Sequence, residues 1–216
     1  MSEIEYKILL LGDSGIGKEY IFKILSKEEF NKKNVATIGI DRRTLSLNID
    51  IDNNGKKENK NCDVFLFDTA GQERYKSITK TFLEALDGII LLYSITNKKS
   101  FLNVETWMNN IKDLIGISDE SKIALILLGN KTDFEEGFKE REVTEEEAIK
   151  LCKQNNLIWG GEQNLKNMDK NNIEELFKEY TEKIYKIIGE KIHEKKMLIK
   201  SVKYYKQKKK QKCICF

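Results

Sequence analysis

The chain has 216 residues, 40% of them hydrophobic and 34% charged, with 38 Lys+Arg against 35 Asp+Glu, four Cys, one His and no Pro. That length and balance fit one soluble globular domain with a heavily charged surface plus a tail. The longest apolar runs, 88–93 and 123–128, fall short of the roughly 18 residues of a membrane helix, and no basic region followed by an apolar stretch and cleavage site opens the sequence, so neither a spanning nor a secreted protein is expected.

The formal net charge of +3 hides an asymmetry. After Glu194 there is no acid, and the last 22 residues carry nine Lys, which leaves 29 basic and 35 acidic residues, a formal −6, on the rest. A mildly acidic domain with a basic appendage suits an anionic surface. We place the boundary at 1–190 for the domain and 191–216 for the tail. Cys62 and Cys152 read as ordinary core or surface thiols, and the lone His193 has no partner for a metal or nucleophile site. A reducing, intracellular setting is expected.

In chain order, residues 4–11 form an apolar run ending in Gly12, a buried strand, and residues 18–25 space Ile21, Ile24 and Leu25 as a helix. Residues 44–51 alternate Leu45, Leu47, Ile49 and Ile51 as a half-buried strand. The polar stretch 52–61, with its Asn53-Asn54-Gly55 turn signal, predicts a long hairpin tip before a strand at 64–67. Strands follow at 88–95 and 123–129, each with a helix behind it, at 100–115 and 144–155. Thr144 and Glu147 spell a capping box. Residues 157–159 read as a short last strand, and Asn172 is expected to cap a long helix striped by Ile173, Leu176, Phe177, Tyr180, Ile184, Ile187 and Ile188. Alternating strands and helices predict an α/β fold, a mostly parallel six-stranded sheet with helices on both faces.

The first strand ends in Gly12-Asp13-Ser14-Gly15-Ile16-Gly17-Lys18 and runs into a helix. This is the G-x-x-x-x-G-K spacing in its required strand–loop–helix setting. Glycines let backbone N–H groups approach phosphate oxygens, the helix N-terminus adds partial positive charge, and Lys18 reaches the terminal phosphates. The pattern continues with Ser or Thr, whose hydroxyl ligates magnesium; this chain has Glu19. A carboxylate is a hard donor able to hold Mg²⁺. It is also longer than a hydroxyl and adds a like charge, which at about 4 Å and an effective dielectric near 20 costs on the order of 4 kcal/mol before the metal compensates.

Thr37-Ile38-Gly39-Ile40-Asp41 follows 19 residues after Lys18, then Asp68-Thr69-Ala70-Gly71-Gln72-Glu73-Arg74 and Asn130-Lys131-Thr132-Asp133. In this order, with the phosphate loop, these motifs resemble the Ras superfamily of small GTPases. Gln72-Glu73-Arg74-Tyr75-Lys76-Ser77-Ile78-Thr79 and Gly88-Ile89-Ile90-Leu91-Leu92-Tyr93 look most like its Rab branch. The resemblance covers about residues 5–188.

The resemblance implies a P-loop NTPase fold that binds GTP and GDP with Mg²⁺ and hydrolyses GTP as a membrane-trafficking switch. Asp13, Ser14, Gly15, Ile16, Gly17, Lys18 and Glu19 would surround the phosphates. Asp133 would accept the two donors of guanine, a pair that adenine lacks. Asn130 would brace the loop, Lys131 and Phe30 would cover the base faces, and a backbone N–H of Leu165, beside Lys166, would meet the guanine oxygen. Thr37 and Asp68 would hold the metal, with Glu19 as a further ligand. Gly71 would sense the γ-phosphate, and Gln72 would orient the attacking water, slowly until a partner supplies an arginine. Arg42, Arg43 and Arg74 read as surface residues of the switches.

Three departures stand out. Arg42 occupies a position where Rab proteins carry an effector-binding aromatic. Asn164-Leu165-Lys166 replaces Ser-Ala-Lys, in register or displaced by a residue or two. The hairpin tip is longer than the family's. Glu19 with Leu165 supports a second reading, a degenerate GTPase-fold interaction module on membranes, with weak nucleotide binding or no hydrolysis.

The Lys-rich segment 203–212 precedes Cys213-Ile214-Cys215-Phe216. The last four residues read either as C-a-a-X with a Phe end or as a doubly prenylated Cys-x-Cys end. One lipid with a polybasic patch, or two lipids, anchors stably. The implied protein is a monomer on the cytoplasmic face of an intracellular membrane, cycling with the cytosol, served by an exchange factor, a GTPase-activating protein and effectors, with no nucleic-acid partner.

Overall fold

A computed structural model describes residues 4–26, 41–53, 56–68, 78–115 and 123–188. The strands are β1 (Ile4–Leu11), β2 (Asp41–Asn53), β3 (Lys56–Asp68), β4 (Gly88–Ser94), β5 (Ala124–Asn130) and β6 (Ile158–Gln163). The helices are α1 (Lys18–Ser26), α2 (Lys80–Leu83), α3 (Lys98–Ile115), α4 (Thr132–Glu135), α5 (Glu145–Asn155) and α6 (Lys170–Ile188). One six-stranded sheet runs β2-β3-β1-β4-β5-β6, parallel throughout except for the antiparallel edge pair β2–β3. The expected fold class is what forms.

Both faces of this sheet are covered, which is why its central strands read as unbroken apolar runs. Along β1, Ile8 and Leu10 pack into one core with α1 and α6, while Leu9 and Leu11 pack into the other with α2, α3 and α5. Each fully buried Ile or Leu contributes about 1.5–3 kcal/mol relative to exposure. Cys62 and Cys152 are buried, and burial pushes their thiols up to about 12 and about 11, so neither is a reactive thiolate.

Three expectations are corrected. The long polar tip is instead ladder: β2 and β3 pair from Asp41↔Asp68 out to Asn53↔Lys56. Polar residues tolerate the ladder here because one hairpin face is solvated. The other face buries Leu45, Leu47, Ile49 and Ile51 in the core that α6 completes. Asp50 fastens the extension, taking Lys178 Nζ at 2.9 Å on its carboxylate while its N–H donates to Glu182 Oε1 at 2.9 Å. The last strand runs on to Gln163 through Gly160 and Gly161, where Tyr180 Oη donates to the Gly160 carbonyl at 2.6 Å. Finally, α6 begins at Lys170, and Asn172 is not its cap. Asp169 Oδ1 accepts from the Asn172 N–H at 2.8 Å, and Asn172 Oδ1 accepts from the Asp169 N–H at 3.0 Å, a reciprocal pair one turn earlier. At α5 the Thr144–Glu147 capping box forms as read.

Candidate functional site

In a parallel sheet, loops gather at the carboxyl ends of the strands, and ligands bind there where the winding reverses. β1 is that point, with β3 on one side and β4 on the other. Residues 12–17 leave its end. The pairings Leu10↔Asp68, Ser94↔Asn130 and Asn130↔Gln163 bring the ends of β3, β5 and β6 to the same edge.

The phosphate loop is shaped by close backbone approaches. Gly12 (φ 152°) would place a Cβ 2.4 Å from the Leu92 carbonyl oxygen, and Gly17 (φ 104°) would place one 2.4 Å from Asn130 Nδ2. Only glycine fits at either position. Ser14 and Gly15 are exposed, whereas Ile16 is buried and anchors the loop in the core. Lys18 is also buried, and its ammonium donates to the carbonyls of Gly12 at 2.8 Å and Asp13 at 2.5 Å. Burial pushes the Lys18 ammonium below the usual lysine range, opposed by the charges of Asp68, Glu19 and Asp13. A buried cation that feels the charges of Asp68, Glu19 and Asp13, beside a glycine cradle, is suited to hold an anion together with its counter-cation.

Glu19 occupies the first turn of α1 and is exposed. A carboxylate there is favoured by the helix N-terminus. Asp68 ends β3. Both are hard oxygen donors near Lys18, a donor set that fits a magnesium ion accompanying phosphates.

The second half of the site is the loop after β5. Asn130, 6% exposed, donates from Nδ2 to the Ile16 carbonyl at 2.9 Å and accepts at Oδ1 from the N–H and hydroxyl of Thr132 at 3.1 and 2.7 Å. It therefore joins two loops 114 residues apart. Lys131 donates its N–H to the Gln163 carbonyl at 3.0 Å, and its ammonium pairs with Glu135 at 2.9 Å. Asp133 presents a half-exposed carboxylate, 3.2 Å from Lys139 Nζ.

Asn164-Leu165-Lys166 stands beside this loop. Thr132 Oγ1 meets Asn164 Oδ1 at 3.0 Å and accepts from the Lys166 N–H at 3.4 Å. The Leu165 side chain is fully buried in the core, so its bulk is absorbed there. Lys166 Nζ pairs with Glu136 at 2.7 Å. Thr132 and Asn164 knit these segments together without having been singled out in the sequence; a hydroxyl directly after Asn-Lys was the available signal.

Arg42 is exposed, its guanidinium 5.2 Å from the Phe65 ring centre. Arg43 is more than a surface residue: Nε and Nη2 donate to Ser26 Oγ at 2.9 and 2.7 Å, tying β2 to the end of α1. Phe30, Thr37, Gly71, Gln72, Arg74, Cys213 and Cys215 lie outside the described residues.

A family model described as the Ras family matches residues 7–186. The chain is 38% identical over 152 residues to Ras-related protein Rab-13 of Canis lupus familiaris, covering 70% of this chain and 68% of that one. It is 37% identical over 147 residues to Ras-related protein Rab-8B of Bos taurus, covering 68% and 64%. It is also 38% identical over 154 residues to EF-hand calcium-binding domain-containing protein 4B of Homo sapiens, a match that covers 71% of this chain and 19% of that protein's length.

Proposed function

The chain belongs to the Ras family as a Rab-like small GTPase, and we propose that it binds GDP and GTP with Mg²⁺, hydrolyses GTP, and serves as a trafficking switch on the cytoplasmic face of an intracellular membrane. The observation that carries this reading is the Asn130–Ile16 bond, because it unites a phosphate cradle and a base-reading loop into one site.

In this reading Lys18 holds the terminal phosphates and Asp133 accepts from guanine. ATP offers that carboxylate no matching pair of donors, which makes discrimination strong. Leu165 and Lys166 complete the base pocket from the end of β6. Asp68, Glu19 and Thr37 are the residues that would hold magnesium, which when bound neutralises charge on the phosphates. Gln72 orients the attacking water, and because no arginine in this chain is placed by spacing to help, the rate depends on a partner. The tail lies on an anionic leaflet through the nine Lys of its last 22 residues, with lipid on Cys213, Cys215 or both.

Single-turnover hydrolysis of GTP tests the enzymatic part. The wild type is expected to hydrolyse slowly, and Gln72→Leu to hydrolyse at least tenfold more slowly with binding retained. Equal rates in the two proteins remove Gln72 from the mechanism.

A further inference from the structure

Asp13 is the second residue of the phosphate loop, yet its side chain is committed elsewhere. Its Oδ2 accepts from Asn103 Nδ2 at 2.6 Å and its Oδ1 from Trp107 Nε1 at 3.1 Å. The two donors are four residues apart, hence on one face of α3. Trp107 is 4% exposed and belongs to the core that also contains Ile78 and Leu83.

The main chain of the same residue is held from the other side, because the Asp13 carbonyl accepts from Lys18. Asp13 is thus gripped at its carbonyl by the phosphate-binding lysine and at its carboxylate by α3. A carboxylate in this loop is a liability, since its charge competes with phosphate for the Lys18 ammonium. Two neutral donors from α3 satisfy both oxygens and hold that charge on the helix.

We propose that Asn103 and Trp107 are positioning residues for the nucleotide, acting through Asp13: they hold the loop carboxylate on α3, keep the Asp13 carbonyl in place for Lys18, and make Trp107 responsive to loading of the loop. The inference rests on the guanine-nucleotide reading above. It assigns α3 a part in nucleotide retention that its distance in sequence conceals.

The test uses the full chain. Trp159→Phe leaves Trp107 as the sole tryptophan, since the chain has two. GDP with Mg²⁺, then stripping with EDTA, should shift Trp107 emission reversibly, and Asp13→Ala should abolish the shift. In parallel, release of a fluorescent GDP analogue should be roughly tenfold faster in Asn103→Ala. It should be faster still in Asn103→Asp, which sets like charges together. Asn103 is half-exposed, so neither change should lower the melting temperature of the nucleotide-free protein appreciably, which a purely structural role would require. Release within twofold of wild type in both variants, or emission unresponsive to GDP, overturns this inference alone. Failure of the wild type to bind GDP overturns it together with the proposed function.

Discussion

Asn130 and Ile16 are joined by a buried hydrogen bond of 2.9 Å between the Asn130 amide and the Ile16 carbonyl, across 114 residues of chain. The same amide accepts from both donors of Thr132. Asn130→Ala therefore strands the Ile16 carbonyl and the Thr132 N–H at once, while the Thr132 hydroxyl keeps Asn164 Oδ1 at 3.0 Å. At about 1–3 kcal/mol for an unsatisfied buried group, a loss of roughly 2–4 kcal/mol in urea unfolding is expected, with guanine-nucleotide affinity down by at least tenfold. Loss of stability with affinity intact would show that the bond holds the fold and not the site.

Gly17→Ala should be worse for the site than Gly15→Ala. A Cβ at Gly17 meets Asn130 Nδ2 at 2.4 Å, whereas at Gly15 (φ 74°) it meets nothing within 4 Å. Both substitutions carry the strain of positive φ, about 1 kcal/mol, but only the first displaces Asn130. Nucleotide titration of the two proteins checks this, with Gly17→Ala binding at least tenfold more weakly than Gly15→Ala.

Glu19→Ser should tighten GTP binding in the presence of Mg²⁺. The like-charge cost read from the sequence took an effective dielectric near 20, but Glu19 is exposed, so the penalty lies nearer the water limit. A gain of about tenfold or less is expected, with the Mg²⁺ dependence steepened. Unchanged affinity and metal dependence would show that Glu19 does not oppose the phosphates.

The hairpin's hold on α6 should be acid-labile. Hydrogen bonds from Lys178 and then Asn59 keep the Asp50 carboxyl below its ordinary value of 3.8. With the folded value depressed, the pair's contribution is present above about pH 3.8 and is lost as pH falls through the folded value. Asp50→Asn should therefore lower the urea midpoint slightly at pH 7, by an amount that shrinks as pH falls below 3.8. A difference that does not shrink as pH falls would assign the effect to something other than the carboxylate.

Membrane attachment is proposed to need the terminal cysteines. Flotation of the cell-expressed protein with anionic vesicles should be lost in the Cys213→Ser/Cys215→Ser double variant. Undiminished flotation would remove the lipid anchor.

What was legible in the sequence followed burial. β1, β4 and β5 are covered on both faces and so stand out as apolar runs, and the Thr144–Glu147 box spells its own helix start. The outer half of β3 was hidden because its residues are polar, and it is held by ladder pairing with β2, whose Asp50 accepts from Asn59 of β3 and from Lys178 of α6. α2 and α4 are single turns of four residues, too short to show helical periodicity. At the site, local spacing revealed the cradle and the base loop. The Asp13 contacts come from residues 90 and 94 positions away, and no local pattern announces them.

The decisive measurement is binding of GDP, GTP and ATP to the full chain, each with and without Mg²⁺. GDP and GTP should bind, more tightly with Mg²⁺, and ATP at least a thousandfold more weakly because Asp133 finds no donor pair. No detectable binding of either guanine nucleotide, or ATP bound as well as GTP, would contradict the proposed function.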